Sequence, residues 1–283
     1  MPSARCRRCS KHRLQDRGSE AMAGTRLEAS RKGPLLYGTF AQERGVHSFS
    51  LDLLDDIDRF LDLIDDERDI RAAIVTARGK VFNLGTDKTQ IESGLRDFVQ
   101  FRRYLDRFND TMDRLERAPV PTIAAVNGLT RAGGIEIVLA CDVTVIAKSA
   151  RIGDVHSAQF AIPAGGSTQR LPRRIGLPRA KDLIWSGRFL DAAEAVEWGL
   201  CHALADDDAL LQTAEALAAT YIDKPRQCLF ESKSLINRSV TMAPADGIEL
   251  EKQQFLHYVQ NYPYVRDAFE AFQASRKPAE ARA

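Results

Sequence analysis

The first residue with chemical promise is Glu136, a glutamate inside an otherwise apolar helical run with Ile135, Ile137, Val138 and Leu139 around it. Its carboxylate lies either on an exposed face of that helix or where chemistry needs it. Burial would raise its pKa and make it a competent general base or acid. Two glycine turns stand nearby in the pattern. Residues 79–87 (GKVFNLGTD) and residues 127–136 (NGLTRAGGIE) each follow a strand-like run, and the second opens an apolar helix over 135–141. Glycine lets the main chain approach a ligand closely, and a helix start leaves unpaired N–H groups with a partial positive charge. Together these make an anion site. Neither turn is a Walker A loop or a G-x-G-x-x-G fingerprint. A developing oxyanion fits such a site as well as a phosphate does.

The elements that must position these residues follow from periodicity. A strand is expected over 35–41. Leu51, Leu54, Ile57, Leu61 and Ile64 then recur at spacings of three and four, one stripe of an amphipathic helix. The runs 72–77 (AAIVTA), 122–126 and 143–147 read as buried strands, each followed by a turn bearing Gly or Asn. Strands separated by helical segments give right-handed crossovers and a largely parallel sheet, so the fold class is α/β. Strands are expected to stop after that. Asp191-Ala-Ala-Glu194 is a capping box for a short helix that ends at Gly199. From Ala209 the pattern is helical, broken by Pro225, Pro244 and Pro263, with Phe255, Leu256, Val259, Phe269 and Phe272 supplying apolar stripes.

Composition narrows the function classes. Lys and Arg number 40 against 39 Asp and Glu in 283 residues, a balance that argues against a dedicated nucleic-acid binder. The 44% hydrophobic content excludes a disordered acidic chain. No apolar run approaches the ~18 residues of a membrane span. The five cysteines are scattered, with Cys6 and Cys9 a lone C-x-x-C, so a reduced, cytoplasmic setting and no metal are expected. Residues 1–24 carry Arg5, Arg7, Arg8, Lys11, Arg13 and Arg17 with no apolar pattern, and read as a disordered basic tail. A core over 25–205 and a helical oligomerisation region over 206–283 are expected to follow.

Several ordered motifs resemble the enoyl-CoA hydratase/isomerase (crotonase) superfamily over 35–277. They are Pro121-Thr-Ile-Ala-Ala-Val-Asn-Gly128, Ala132-Gly-Gly-Ile-Glu136 and Ala140-Cys-Asp142, then Ile162-Pro-Ala-Gly-Gly-Ser-Thr-Gln-Arg-Leu-Pro172, Gly187-Arg-Phe-Leu-Asp-Ala-Ala-Glu-Ala195 and Trp198-Gly-Leu200. The resemblance implies a spiral of ββα units, a helical C-terminal trimerisation region giving a homotrimer or dimer of trimers, and acyl-CoA substrates. Coenzyme A would then enter as part of the substrate, with no further cofactor. It also implies an oxyanion hole for a thioester enolate, carried over to the N–H groups of Thr86, after Gly85, and of Gly133. Arg44 and Val46 fall where the family holds CoA. Phe272 matches an aromatic that reaches CoA from the neighbouring subunit.

One departure bears on the reaction. Family hydratases use two glutamates. Glu136 matches the first, but the segment that usually reads Gly-x-Pro-Glu is here Gly153-Asp-Val-His156. His156 is therefore expected to deliver the α-carbon proton with Glu136 as its partner, the alternative being a packing or hydrogen-bonding residue in a catalytically altered site. Asp154 offers a carboxylate two residues away, and Phe160 stands at a family glycine position. His47, near the family's substrate-loop asparagine, reads as a surface residue before a helix. Ser167 replaces a glycine without a G-x-S-x-G elbow around it. Residues 91–108 are expected to be a loop shaping the acyl pocket. Water addition to a 2-enoyl-CoA is the leading expectation. C–C or thioester hydrolysis, decarboxylation and a non-catalytic binding role are the alternatives.

Overall fold

The computed structural model describes residues 26–42 and 45–276. The basic tail expected at 1–24, with Cys6 and Cys9, and Arg44 lie outside the described residues. The chain divides into two compact units, one ending at Asp223 and the other beginning at Lys224.

The first unit opens with β1 (Leu27–Lys32) and β2 (Leu35–Phe40), an antiparallel pair. Helix α1 (Leu51–Asp66) follows, capped by Ser50, whose side chain accepts the Leu53 N–H. Its inward face is Leu53, Leu54, Ile57, Phe60, Leu61 and Ile64, while Leu51 is exposed. Strands then come in successive pairs. β3 (Ala72–Ala77) and β4 (Val81–Asn83) precede α2 (Lys88–Arg96) and α3 (Phe98–Glu116). β5 (Thr122–Val126) and β6 (Leu129–Arg131) precede α4 (Gly133–Ala140). β7 (Val143–Ala147) and β8 (Arg151–Gly153) precede α5 (Ser167–Ile175) and α6 (Leu177–Ser186). β9 (Leu190–Asp191), α7 (Ala192–Glu197), β10 (Ala203–Ala205) and α8 (Leu210–Ile222) complete the unit.

The first strand of each pair joins a six-stranded sheet ordered β1-β2-β3-β5-β7-β10. The second joins a four-stranded sheet ordered β4-β6-β8-β9. Neighbours from β2 to β10 run parallel, as do β4, β6 and β8. Each ββα unit therefore advances both sheets by one strand, which is the spiral expected from the sequence. The runs AAIVTA and TIAAV carry no polar alternation because both faces of the large sheet are covered.

Three expectations need correction. Strands do not stop after β7, since β8 follows and β9 and β10 each close an edge of a sheet. Residues 91–108 are not a loop but parts of α2 and α3, separated by Asp97, whose side chain caps α3 by accepting the Val99 and Gln100 N–H groups. The compact first unit also runs past the boundary expected at 205/206, because α8 buries Leu210, Ala214 and Ala218.

Phe160 ends a short 3-10 turn (Ser157–Gln159) with φ +57, and its side chain is fully exposed. A bulky residue rarely adopts this left-handed conformation, and glycine does so freely. Phe160→Gly is expected to raise unfolding stability by about 1 kcal/mol, read as an increase in the denaturant midpoint.

The second unit is helical: α9 (Arg226–Ser239), α10 (Pro244–Asn261) and α11 (Tyr264–Arg276). Pro225 and Pro244 stand at helix starts, where a missing N–H costs nothing. Ile236, Ile248, Phe255, Leu256 and Phe269 are exposed on these helices. Among the described residues no helix is long and apolar enough to cross a membrane.

Candidate active site

Two loops of the first unit meet main chain to main chain. In the first, after β4, Gly85 adopts φ +90, and a Cβ there would lie 2.7 Å from the nitrogen of Gly133. Only glycine permits that approach. The amides of this loop are then accounted for one by one. Leu84 N–H donates to the His47 carbonyl (2.8 Å), and Gly85 N–H to Asn83 Oδ1 (2.8 Å). Asp87 N–H donates to the Phe49 carbonyl (2.8 Å), while Phe49 N–H donates to the Gly85 carbonyl (2.8 Å). Thr86 N–H alone in this stretch has no acceptor among the described residues.

The second loop joins β6 to α4. Ala132 takes φ +48 and ψ −122, a conformation that L-residues rarely adopt. Strain of this kind persists where the surroundings impose it, often at functional sites. It brings Gly133 to the first position of α4, where its N–H is one of the helix's unpaired donors. No described residue accepts it. A Cβ on Gly134 would collide with the Asn83 carbonyl, so small residues let α4 lie against β4.

One turn into α4, Glu136 is buried, 3% exposed. The exposed-face alternative is thereby excluded. Its Oε1 accepts the N–H groups of Gly165 (2.8 Å) and Ser167 (3.3 Å). Phe108 packs against the same carboxylate, since a Cβ on Gly165 would strike both Glu136 Oε2 and the Phe108 ring. Burial drives the carboxyl pKa above its ordinary 4.5, opposed by the charge of His156 and by the two N–H donors. Ser167 is the first residue of α5, so the carboxylate also faces a helix N-terminus.

His156 follows β8. Its Nδ1 lies 2.7 Å from Asp154 Oδ1, and the Asp154 carboxylate is fully buried. Burial pulls the imidazole pKa down. The Asp154 hydrogen bond and the charges of Asp154 and Glu136 outweigh it, and the pKa ends above 6.5. Each of Glu136 and His156 thus feels the other's charge. The structure brings together four residues expected from the sequence: Glu136, His156, and the two glycine turns carrying Thr86 and Gly133.

The other expected residues are placed differently. Val46 is half exposed and lines a cleft of about 950 Å³ with Gln42, Ser48, Asp87 and Gln90. Phe272 lies on α11 of the second unit, half exposed. His47 is not a surface residue. It is fully buried, its ring stacked on Phe40 and its Nε2 2.9 Å from the Arg78 carbonyl. Burial lowers its pKa below 6.5, which makes it a neutral core imidazole.

Tyr104 was missed by sequence reasoning. It is buried on α3, with its hydroxyl 3.2 Å from the Phe49 carbonyl and 3.3 Å from Thr86 Oγ1. The stripe Phe101, Tyr104, Phe108, Met112, Leu115 carried the signal, because a helical face with one hydroxyl among apolar residues needs a polar partner. Through Tyr104 and Phe108, one turn apart, α3 touches both the Thr86 loop and Glu136.

A spiral of ββα units, with a buried glutamate and two abutting glycine loops whose Thr86 and Gly133 amides have no acceptor among the described residues, is the arrangement that the crotonase resemblance implies. Residues 32–280 match the enoyl-CoA hydratase/isomerase family. The chain belongs to that family. It is 32% identical over 260 residues to human mitochondrial methylglutaconyl-CoA hydratase, covering 89% of this chain and 75% of the relative. A probable enoyl-CoA hydratase of Bacillus subtilis is 29% identical over 82% of this chain and 90% of its own length. Among solved structures, enoyl-CoA hydratase from Bacillus anthracis superposes with a TM-score of 0.82 at 31% identity, covering 90% of this chain and 98% of that one. Pseudomonas aeruginosa DspI superposes with a TM-score of 0.84 at 26% identity, covering 93% and 99%. The relatives are named as hydratases, and this chain is a hydratase-like enzyme.

Proposed function

We propose that the protein adds water reversibly across the double bond of a 2-enoyl-CoA, through a thioester enolate. The observation that carries this reading is a buried carboxylate and an imidazole, each within reach of the other's charge, beside two unpaired main-chain amides. Glu136, ionised, takes a proton from water as the oxygen attacks the β-carbon. The π electrons move onto the thioester oxygen, which accepts hydrogen bonds from the N–H groups of Thr86 and Gly133. The enolate then collapses, and the α-carbon takes the proton of the His156 imidazolium. Atoms balance as one water added, and the proton on Glu136 returns to His156 to close the cycle. Preorganised donors of this kind contribute about 3–4 kcal/mol each to lowering a barrier.

Coenzyme A enters only as part of the substrate, along the cleft that Val46 lines. The exposed apolar residues of the second unit favour a homotrimer or dimer of trimers in which Phe272 meets CoA held by a neighbouring copy. The free thiols Cys141, Cys201 and Cys228 accord with a reduced, cytoplasmic setting.

The test is turnover of crotonyl-CoA and longer 2-enoyl-CoAs, followed by loss of the conjugated thioester absorbance and by mass. A gain of one water on an intact carbon skeleton supports hydration. Binding without turnover at every chain length, or fragmentation, overturns it. Tyr104→Phe removes a neutral hydrogen bond to the Thr86 loop, so kcat is expected to fall about three- to tenfold with KM little changed.

A further inference from the structure

Asp154 is a buried charge that water addition, as written above, does not use. Its side chain is fully buried immediately after β8. Oδ1 accepts from the His156 ring at 2.7 Å and from the His156 main-chain N–H at 3.3 Å. Oδ2 is buried without a hydrogen-bond partner. On the ring, Nδ1 is occupied by Asp154, and Nε2 has no partner among the described residues.

We infer that Asp154 is a positioning residue that holds His156 in the Nδ1–H form, leaving Nε2 as the nitrogen that exchanges a proton with substrate. This rests on the acid–base reading of Glu136 and His156. The local geometry is self-contained. The backbone turns at His156 (φ −60, ψ −46) into the 3-10 helix, so residues two apart meet on the inside of the bend. The main-chain bond from His156 N–H to the same carboxylate oxygen locks that bend, as Asp side chains do in turns. The charges that reach the ring are Asp154 on its own segment and Glu136 on α4. Helix α6, packed on the same turn, meets it through the Ile184 and Trp185 carbonyls, which accept from Ser157 Oγ.

A buried carboxylate with one unpaired oxygen is costly unless a cation faces it. An imidazolium at Nδ1 is that cation. The resting site is then a charged acid and an ionised base together, the pairing that water addition requires. Two carboxylates would instead have to share one proton. Asp154 thus does for a histidine what the missing second glutamate would do by its own carboxyl group.

The test uses the full chain with ¹⁵N-labelled histidine, as wild type and as Asp154→Asn. In the wild type, His156 is expected to titrate above the ordinary histidine midpoint and to lose its proton from Nε2 first. In Asp154→Asn the midpoint should fall by about 1–2 pH units, and the alkaline limb of kcat/KM should fall with it. A purely structural role would lower the rate at every pH and leave that limb in place, which overturns the proposal. A wild-type spectrum showing the Nε2–H tautomer at high pH overturns it without any variant. If the midpoint moves in Asp154→Asn but no enoyl-CoA is hydrated, the Asp154–His156 pair stands and the hydration reading falls.

Discussion

Glu136→Gln is expected to lower water addition by about 10²–10⁴-fold, the range associated with a positioned acid or base. Glutamine keeps an oxygen to accept the Gly165 and Ser167 N–H groups, so the loop they anchor should stay in place. What is lost is the carboxylate proposed to take the proton from water. Thioester binding, read by displacement of a fluorescent CoA ester, should remain within about threefold, because uniform binding does not involve the base. Stability should move the other way. Burial raises the native pKa of Glu136 above 4.5. Its contribution is therefore fully present below the unfolded value and is lost as pH rises through the raised native value. Above that native value the ionised group is held at a cost, and there Glu136→Gln is expected to melt at the same temperature or higher. A variant that unfolds at lower temperature and loses binding in proportion to rate would assign Glu136 to structure.

Gly85→Ala should lower kcat strongly. The position has φ +90, where a Cβ is strained whatever the space around it. That Cβ would also press on the Gly133 nitrogen at 2.7 Å and on the Ala132 side chain at 2.9 Å. The methyl therefore wedges apart the two loops whose amides are proposed to hold the thioester oxygen. Loss of alignment at one such donor costs about 10²–10³ in kcat, and this substitution disturbs both. KM should change far less than kcat. Circular dichroism should show the fold retained with a lowered Tm, because Gly85 lies in the loop after β4 and in no strand of either sheet. Equal losses in kcat and in folded fraction would contradict this account.

The strands of the large sheet were legible in the sequence because their signals are local, while the spiral of ββα units was what the family resemblance implied. AAIVTA and TIAAV are short apolar runs bounded by turns, and each became a strand of the large sheet. Asp191 and Glu194 announced α7, and Asp191 does accept the Glu194 N–H. Glu136 was visible as a charge in apolar company, though sequence alone left open which way it faced. Only the Gly165 and Ser167 donors, 29 and 31 residues away, settle that it is buried.

Non-local partners explain what was missed. His47 looked like a surface residue because the acceptor of its buried ring is not local: it is the Arg78 carbonyl, 31 residues on, while the Gln42 N–H, five residues back, reaches Nδ1 at 3.3 Å. The stretch 91–108 read as loop because its helices share one irregular apolar stripe and break at Asp97, a residue that caps as readily as it turns. Phe160 could not be read as strained from its identity alone, since φ belongs to the turn it closes.

In the proposed reaction the N–H groups of Thr86 and Gly133 together hold a thioester oxygen as it gains charge. The most direct measurement is the infrared carbonyl stretch of a ¹³C-labelled acyl-CoA thioester, recorded free and bound to wild type and to Gly85→Ala. The bound carbonyl should shift to lower frequency in wild type, as two donors polarise it, and return toward the free value in Gly85→Ala. A bound thioester whose stretch matches that in water in the wild-type protein would contradict the account, whatever activity accompanied it.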